Sequence, residues 1–156
     1  MNMKNTLFFL LTTILVATAC NTNNVRGDLK NRREMLQSSN WKLESATANG
    51  GGTSFPKCQD DNYYNFEPGG TGRYEEGADN CLDSTGTGNA PTYTPFIWQV
   101  TGDLRYIYIM NYGGDPEKRL EWQILDMNFE ILTVRQMILV DGIDVRLDMR
   151  YKAIPK

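Results

Sequence analysis

From Trp41 onward the chain divides into short runs rich in β-branched and aromatic residues, separated by clusters of Gly, Asn, Asp and Pro. Runs and breaks of this kind read as strands and turns. The pattern predicts eight strands, at 41–47, 62–66, 71–75, 96–100, 104–111, 119–125, 129–140 and 144–151. The last is the clearest, because Val145, Leu147, Met149 and Tyr151 alternate with Arg146, Asp148 and Arg150. One of its faces is therefore buried and the other wet. Asp141-Gly142 before it is a two-residue turn signal, which makes the last two strands a hairpin. Alternation elsewhere assigns Trp41/Leu43, Tyr64/Phe66, Phe96/Trp98/Val100, Leu104/Tyr106/Tyr108 and Leu120/Trp122/Ile124 to the inside. The seventh strand carries Ile131, Leu132, Val134, Met137, Ile138 and Leu139, which predicts cover on both faces.

No helical stretch separates these strands, so neighbours in sequence pair antiparallel. Eight such strands leave two raw edges if the sheet stays open, and closure removes them. The fold class that follows is all-β, an eight-stranded antiparallel up-and-down barrel, with a sandwich of seven or eight strands as the alternative. The interior of an eight-stranded barrel is either filled by side chains or holds one small ligand.

The N-terminus reads differently. Lys4 is the sole charge in the first nineteen residues, and the apolar run from Leu7 to Ala17 follows it. That run is shorter than the roughly 20 residues of a membrane span and has the form of a secretory signal peptide. Ala17-Thr18-Ala19 suits ordinary cleavage, and with Cys20 it also resembles a bacterial lipobox. The chain has three cysteines. Cys58 and Cys81 flank the second and third strands, and in an exported domain they are expected to form a disulfide. Cys20 is then the odd one, and lipidation accounts for it. Residues 1–19 are read as signal peptide. Residues 20–36 are read as lipidated Cys20, a polar tether and a short helix from Val25 to Leu36, and 37–156 as the barrel domain.

At this point a resemblance enters. Trp41-Lys42-Leu43, the run Cys58 to Phe66, Tyr74, Cys81, Trp98-Gln99-Val100 and Gly102-Asp103-Leu104 follow one another in order. The succession is similar to the lipocalin-like domains of bacterial lipoproteins common in Bacteroidota. It implies that Trp41 packs beneath a basic side chain near the end of the barrel, Arg150 or else Arg146, as a structural closure. It also implies a place in the cell envelope. The absence of acidic residues just after Cys20 departs from the surface-export signal of such lipoproteins. That points to the outer membrane and a domain facing the periplasm.

Composition narrows the chemistry. The net charge of −3 becomes −4 once Lys4 leaves with the signal, and no basic cluster exists to neutralise phosphates, which argues against nucleic acid. Histidine is absent, which removes the commonest general base and metal ligand. No catalytic residue, metal or cofactor is expected. Asp60, Asp61, Glu67, Glu75, Glu76, Asp79 and Asp83 match no calcium-loop spacing and read as a solvated acidic rim. Seventeen aromatic residues remain. Among them Trp98, Tyr106, Tyr108 and Trp122 are the candidates for an apolar pocket wall, the alternative being a solid core. The loop from Gly77 to Pro95 is a second candidate contact surface. Two functions stay open: binding a small apolar or amphipathic ligand without catalysis, or a solid barrel that engages an envelope protein.

Overall fold

The computed structural model describes residues 22–78 and 93–156, with side chains from Asp28 onward. Helix α1 (Thr22–Ser38) is followed by nine strands: β1 (Asn40–Ala48), β2 (Gly51–Thr53), β3 (Tyr63–Phe66), β4 (Thr71–Glu75), β5 (Tyr93–Val100), β6 (Tyr106–Met110), β7 (Arg119–Met127), β8 (Ile131–Val140) and β9 (Ile143–Ile154). Every pairing is antiparallel, and β1 and β3 to β9 follow one another round the sheet. β9 then returns to β1, with Trp41 opposite Ala153 and Leu43 opposite Tyr151. The barrel is closed, with eight strands in its wall and β2 as an extra strand.

β2 was outside the sequence pattern because Gly51-Gly52-Thr53 has no side-chain alternation. It forms because the left-handed pair Asn49 (φ 51°) and Gly50 (φ 86°) folds the chain back onto β1, as an Asn-Gly hairpin turn does. β3 covers only Asn40 to Lys42 of that edge, so Ala46 to Ala48 are free to take β2.

One end of the barrel is a filled floor. α1 crosses it and inserts Leu36, which is fully buried. The Trp41 indole Nε1 donates to the Leu36 carbonyl at 2.9 Å. That carbonyl belongs to the last turn of the helix, where backbone acceptors have no helical donor. One contact therefore caps the helix and seats the tryptophan. Phe66, Trp98, Ile107, Ile109, Leu132 and Val134 complete the core above it. Gly72 lets this packing close up, because a Cβ there would lie 2.3 Å from the Phe96 ring and 2.7 Å from the Asn65 carbonyl.

Three expectations are corrected here. Leu104 is not part of a strand: it closes a turn at φ 62°, its N–H donating to the Thr101 carbonyl at 2.9 Å. The strand then starts at Tyr106, with Ile107 and Ile109 inside. Tyr106 and Tyr108 stack on each other on the outer face, and Arg119 lies 3.8 Å over the Tyr108 ring. In Tyr-Ile-Tyr-Ile-Met both parities are apolar. The isoleucines win the interior because they bring no hydroxyl to satisfy there, and a shift of one residue exchanges the faces. Second, β8 is not covered on both sides. β7 pairs with it only as far as Arg135, so its hairpin with β9 runs on past the wall. Met137, Leu139, Val140 and Ile143 are exposed at this projecting tip. Third, β5 begins at Tyr93, so the loop expected to end at Pro95 gives way to strand earlier.

Candidate functional site

At the end opposite α1 the described residues form a mouth: β4 delivers its C-terminal end there, and the segment 49–62 and the turn 111–118 stand round it. A cavity of about 240 Å³ lies inside it. The inner faces of the strands contribute Leu43, Tyr64, Tyr74, Met149 and Tyr151, and the loops add Phe55, Gln59, Asn62 and Tyr112. Trp122 forms the boundary with the floor beneath. It stacks on Tyr151 at 5.2 Å and takes the Tyr64 ring edge-on at 4.8 Å.

Each polar group of the pocket is placed by its local sequence. Tyr112 is turned inward between Asn111 (φ 52°) and Gly113 (φ 72°), and the Gly114 N–H closes the turn on the Asn111 carbonyl at 2.9 Å. Gly and Asn reach this left-handed region at least cost. Buried Asn62 donates through Nδ2 to the Tyr74 hydroxyl at 2.9 Å, and its Oδ1 accepts the Gly77 N–H at 3.0 Å. It thereby ties the segment before β3 to the end of β4. The Tyr151 hydroxyl donates to the Met149 thioether at 3.4 Å, and a thioether is a weak acceptor.

The tyrosines stay neutral. Burial pushes Tyr64 well above the ordinary tyrosine value and also raises Tyr151, with the neighbouring tyrosines adding to both. Burial takes Tyr112 up to about 12 and raises Tyr74, and the Glu76 carboxylate adds to each. Loss of a proton would leave a charge in a poorly solvated place.

The residues proposed from sequence are distributed over three places. Trp122 lies under the cavity, and Trp98 is buried in the floor, with its Nε1 donating to the Thr71 carbonyl at 2.7 Å. Tyr106 and Tyr108 are on the outside and cannot line a pocket. The closure is corrected as well. Trp41 is buried at the floor, but Arg150 faces outward, its Nε donating to Glu44 Oε2 at 2.8 Å. Arg146 lies beside Asp148 at 3.6 Å. Neither covers the tryptophan; Leu36 of α1 does. Glu67 and Glu75 of the acidic set both pair with Arg73. Among the described residues no cluster of His, Cys, Asp or Glu has the makings of a metal site. Cys58 sits in the turn Lys57–Gln59 beside the mouth. Cys81, Cys20 and the signal segment lie outside the described residues, as does most of the loop from Gly77 to Pro95.

Tyr64, Tyr74, Tyr112 and Tyr151 are the pocket aromatics. Sequence alternation placed Tyr64 and Tyr151 inside without marking them as a site. The Asn-Tyr-Gly-Gly turn was the available signal for Tyr112.

The model of the lipocalin-like domain family, Lipocalin_4, matches residues 39–134. The chain belongs to the lipocalin-like domain family. The match ends before β9, the strand that closes this lipocalin-like barrel. A solved structure of bovine odorant binding protein in complex with a selenium-containing odorant is similar at 10% identity and a TM-score of 0.41, covering 78% of this chain and 73% of that one. No curated protein matches the chain.

Proposed function

We propose that this lipocalin-like protein is an exported, membrane-tethered binder that holds one small amphipathic molecule in the tyrosine pocket and does no chemistry on it. The observation that carries the reading is the about 240 Å³ cavity beside the Tyr151 hydroxyl, which has only a thioether in its described hydrogen bond. A ligand oxygen or nitrogen would give that donor a stronger acceptor. The aromatic walls would take the apolar part of the molecule.

Native mass spectrometry of protein purified from its own cells tests this. A co-purifying small mass is expected, lost in Leu43→Trp, which fills the cavity from β1. Protein that arrives bare under gentle conditions would remove the proposal.

The tether is proposed from Ala17-Thr18-Ala19-Cys20, with the outer membrane and a periplasmic orientation as its place. Cys20→Ala should move the protein from the membrane to the soluble fraction, and unchanged fractionation would end the anchor reading. A Cys58–Cys81 disulfide is proposed with it, expected to stabilise by roughly 3 kcal/mol through loop closure. Non-reducing peptide mapping should recover the linked pair.

The projecting tip of β8 and β9 favours a second reading. Met137, Leu139, Val140 and Ile143 are all exposed on it, and an apolar surface of this kind suits an envelope protein partner. Crosslinking from that tip in cells, with loss of the product in Leu139→Glu, separates this reading from the pocket.

A further inference from the structure

The pocket is electrically one-sided. Among the described residues its lining consists of aromatic, aliphatic and neutral amide side chains, with no lysine or arginine. Glu76 follows the last residue of β4, and Asn62, which bonds both the Tyr74 hydroxyl and the Gly77 N–H, holds this stretch beside that lining tyrosine. Its Oε2 is buried and has no hydrogen-bond partner. Its neighbour Glu75 is already occupied by Arg73 at 3.2 Å. Glu76 is also close enough to raise the Tyr74 and Tyr112 hydroxyls electrostatically, so its charge is felt at two lining rings.

A buried carboxylate oxygen without a donor is costly, and a cation brought to it relieves the cost. The rings offer the complementary half. Tyr64 has Tyr74 at 4.7 Å and Tyr151 at 5.8 Å from its own centroid, so several π faces and edges crowd one small space. The face of an aromatic ring is its negative side and attracts a cation.

We propose that the pocket takes an organic monocation, an amine or quaternary ammonium carried on a small apolar body, held by the tyrosine faces and by Glu76. This rests on the small-molecule reading above and names the class of molecule. An anionic amphiphile meets the same groups with the opposite sign and is disfavoured.

The test uses three probes of similar size and different charge: phenyltrimethylammonium, its uncharged isostere tert-butylbenzene, and benzoate. Each is titrated into the purified protein while tryptophan emission is followed, since Trp122 touches both Tyr64 and Tyr151. The ammonium is expected to bind roughly tenfold more tightly than the isostere, with benzoate weakest. Added salt should weaken the ammonium alone. Glu76→Gln, checked for unchanged circular dichroism, should lower ammonium affinity by about tenfold and leave the isostere where it was. Isostere or benzoate binding as tightly as the ammonium, or salt-independent ammonium binding, overturns the cation proposal and leaves the pocket standing. If none of the three binds up to millimolar concentration, the pocket reading falls with it.

Discussion

The floor and the mouth of the barrel are built from the same kinds of residue and are finished differently. At the floor, Trp41 and Trp98 each give their indole N–H to a backbone carbonyl within the protein. Trp122, at the boundary, gives its own to Gln136 Oε1 at 3.0 Å. Between them the aliphatic side chains are excluded from water. At the mouth, the Tyr151 hydroxyl settles for sulfur and Glu76 keeps an oxygen without a donor. Aromatic content therefore does not separate core from site in this chain. What separates them is the partner of the ring's own polar atom: a carbonyl or amide oxygen for each indole, and a thioether for Tyr151. Oxygen acceptors hold the indoles of the floor in place, and the weaker thioether leaves the Tyr151 hydroxyl open to a better acceptor.

The strongest way to break the comparison is at the floor. Trp41→Ala should cost about 3–5 kcal/mol of stability, because it opens a cavity and also strips the last helical turn of its donor. Urea unfolding would measure this. A loss below about 1 kcal/mol would show that α1 is not seated as described. An intermediate effect is expected at the mouth in alkali. Tyr112 is raised to about 12 from an ordinary value of 10, so the unfolded chain loses its proton first. Stability contributed by this group is complete below pH 10 and is lost as pH rises toward 12. The slope is about 1.4 kcal/mol per pH unit for one such tyrosine. Tyr112→Phe should flatten the unfolding profile by that amount, and an unaltered profile would mean the hydroxyl is already solvated. The smallest effect belongs to Arg150→Ala. Its pairing with Glu44 is exposed, 46% and 44% for the two side chains, and such pairs contribute under about 1 kcal/mol. A loss on the scale of Trp41→Ala would restore Arg150 as the closure.

These contrasts also explain which parts of the molecule were legible in the sequence. Strand period and turn residues carry information about which positions face inward, and β4 runs from Thr71 to Glu75 as expected. The alternation from Val145 to Tyr151 likewise marks the inner face of β9, and the closed barrel follows from such strands. Period fails where both parities are apolar, as in Tyr106–Met110, because the decision then rests on hydroxyl solvation and on Arg119 outside. It also fails where cover comes from elsewhere in the chain. Nothing in the last strand reveals that Leu36 rather than Arg150 lies against Trp41. Tyr112 was hidden for a third reason, since its place depends on two left-handed residues that turn it inward and not on a strand.

Closure by β9 has a consequence for the order in which the molecule is made. β1 is synthesised near the start of the domain and must find Asn40 opposite Ile154 and Trp41 opposite Ala153. Until the ribosome has delivered that distant segment, β1 has one flank with no partner and the barrel is an incomplete ribbon. Joining regions so far apart in the chain is slow. The strand made last is therefore the one that locks the barrel, and the chain cannot finish folding before its closing segment is free.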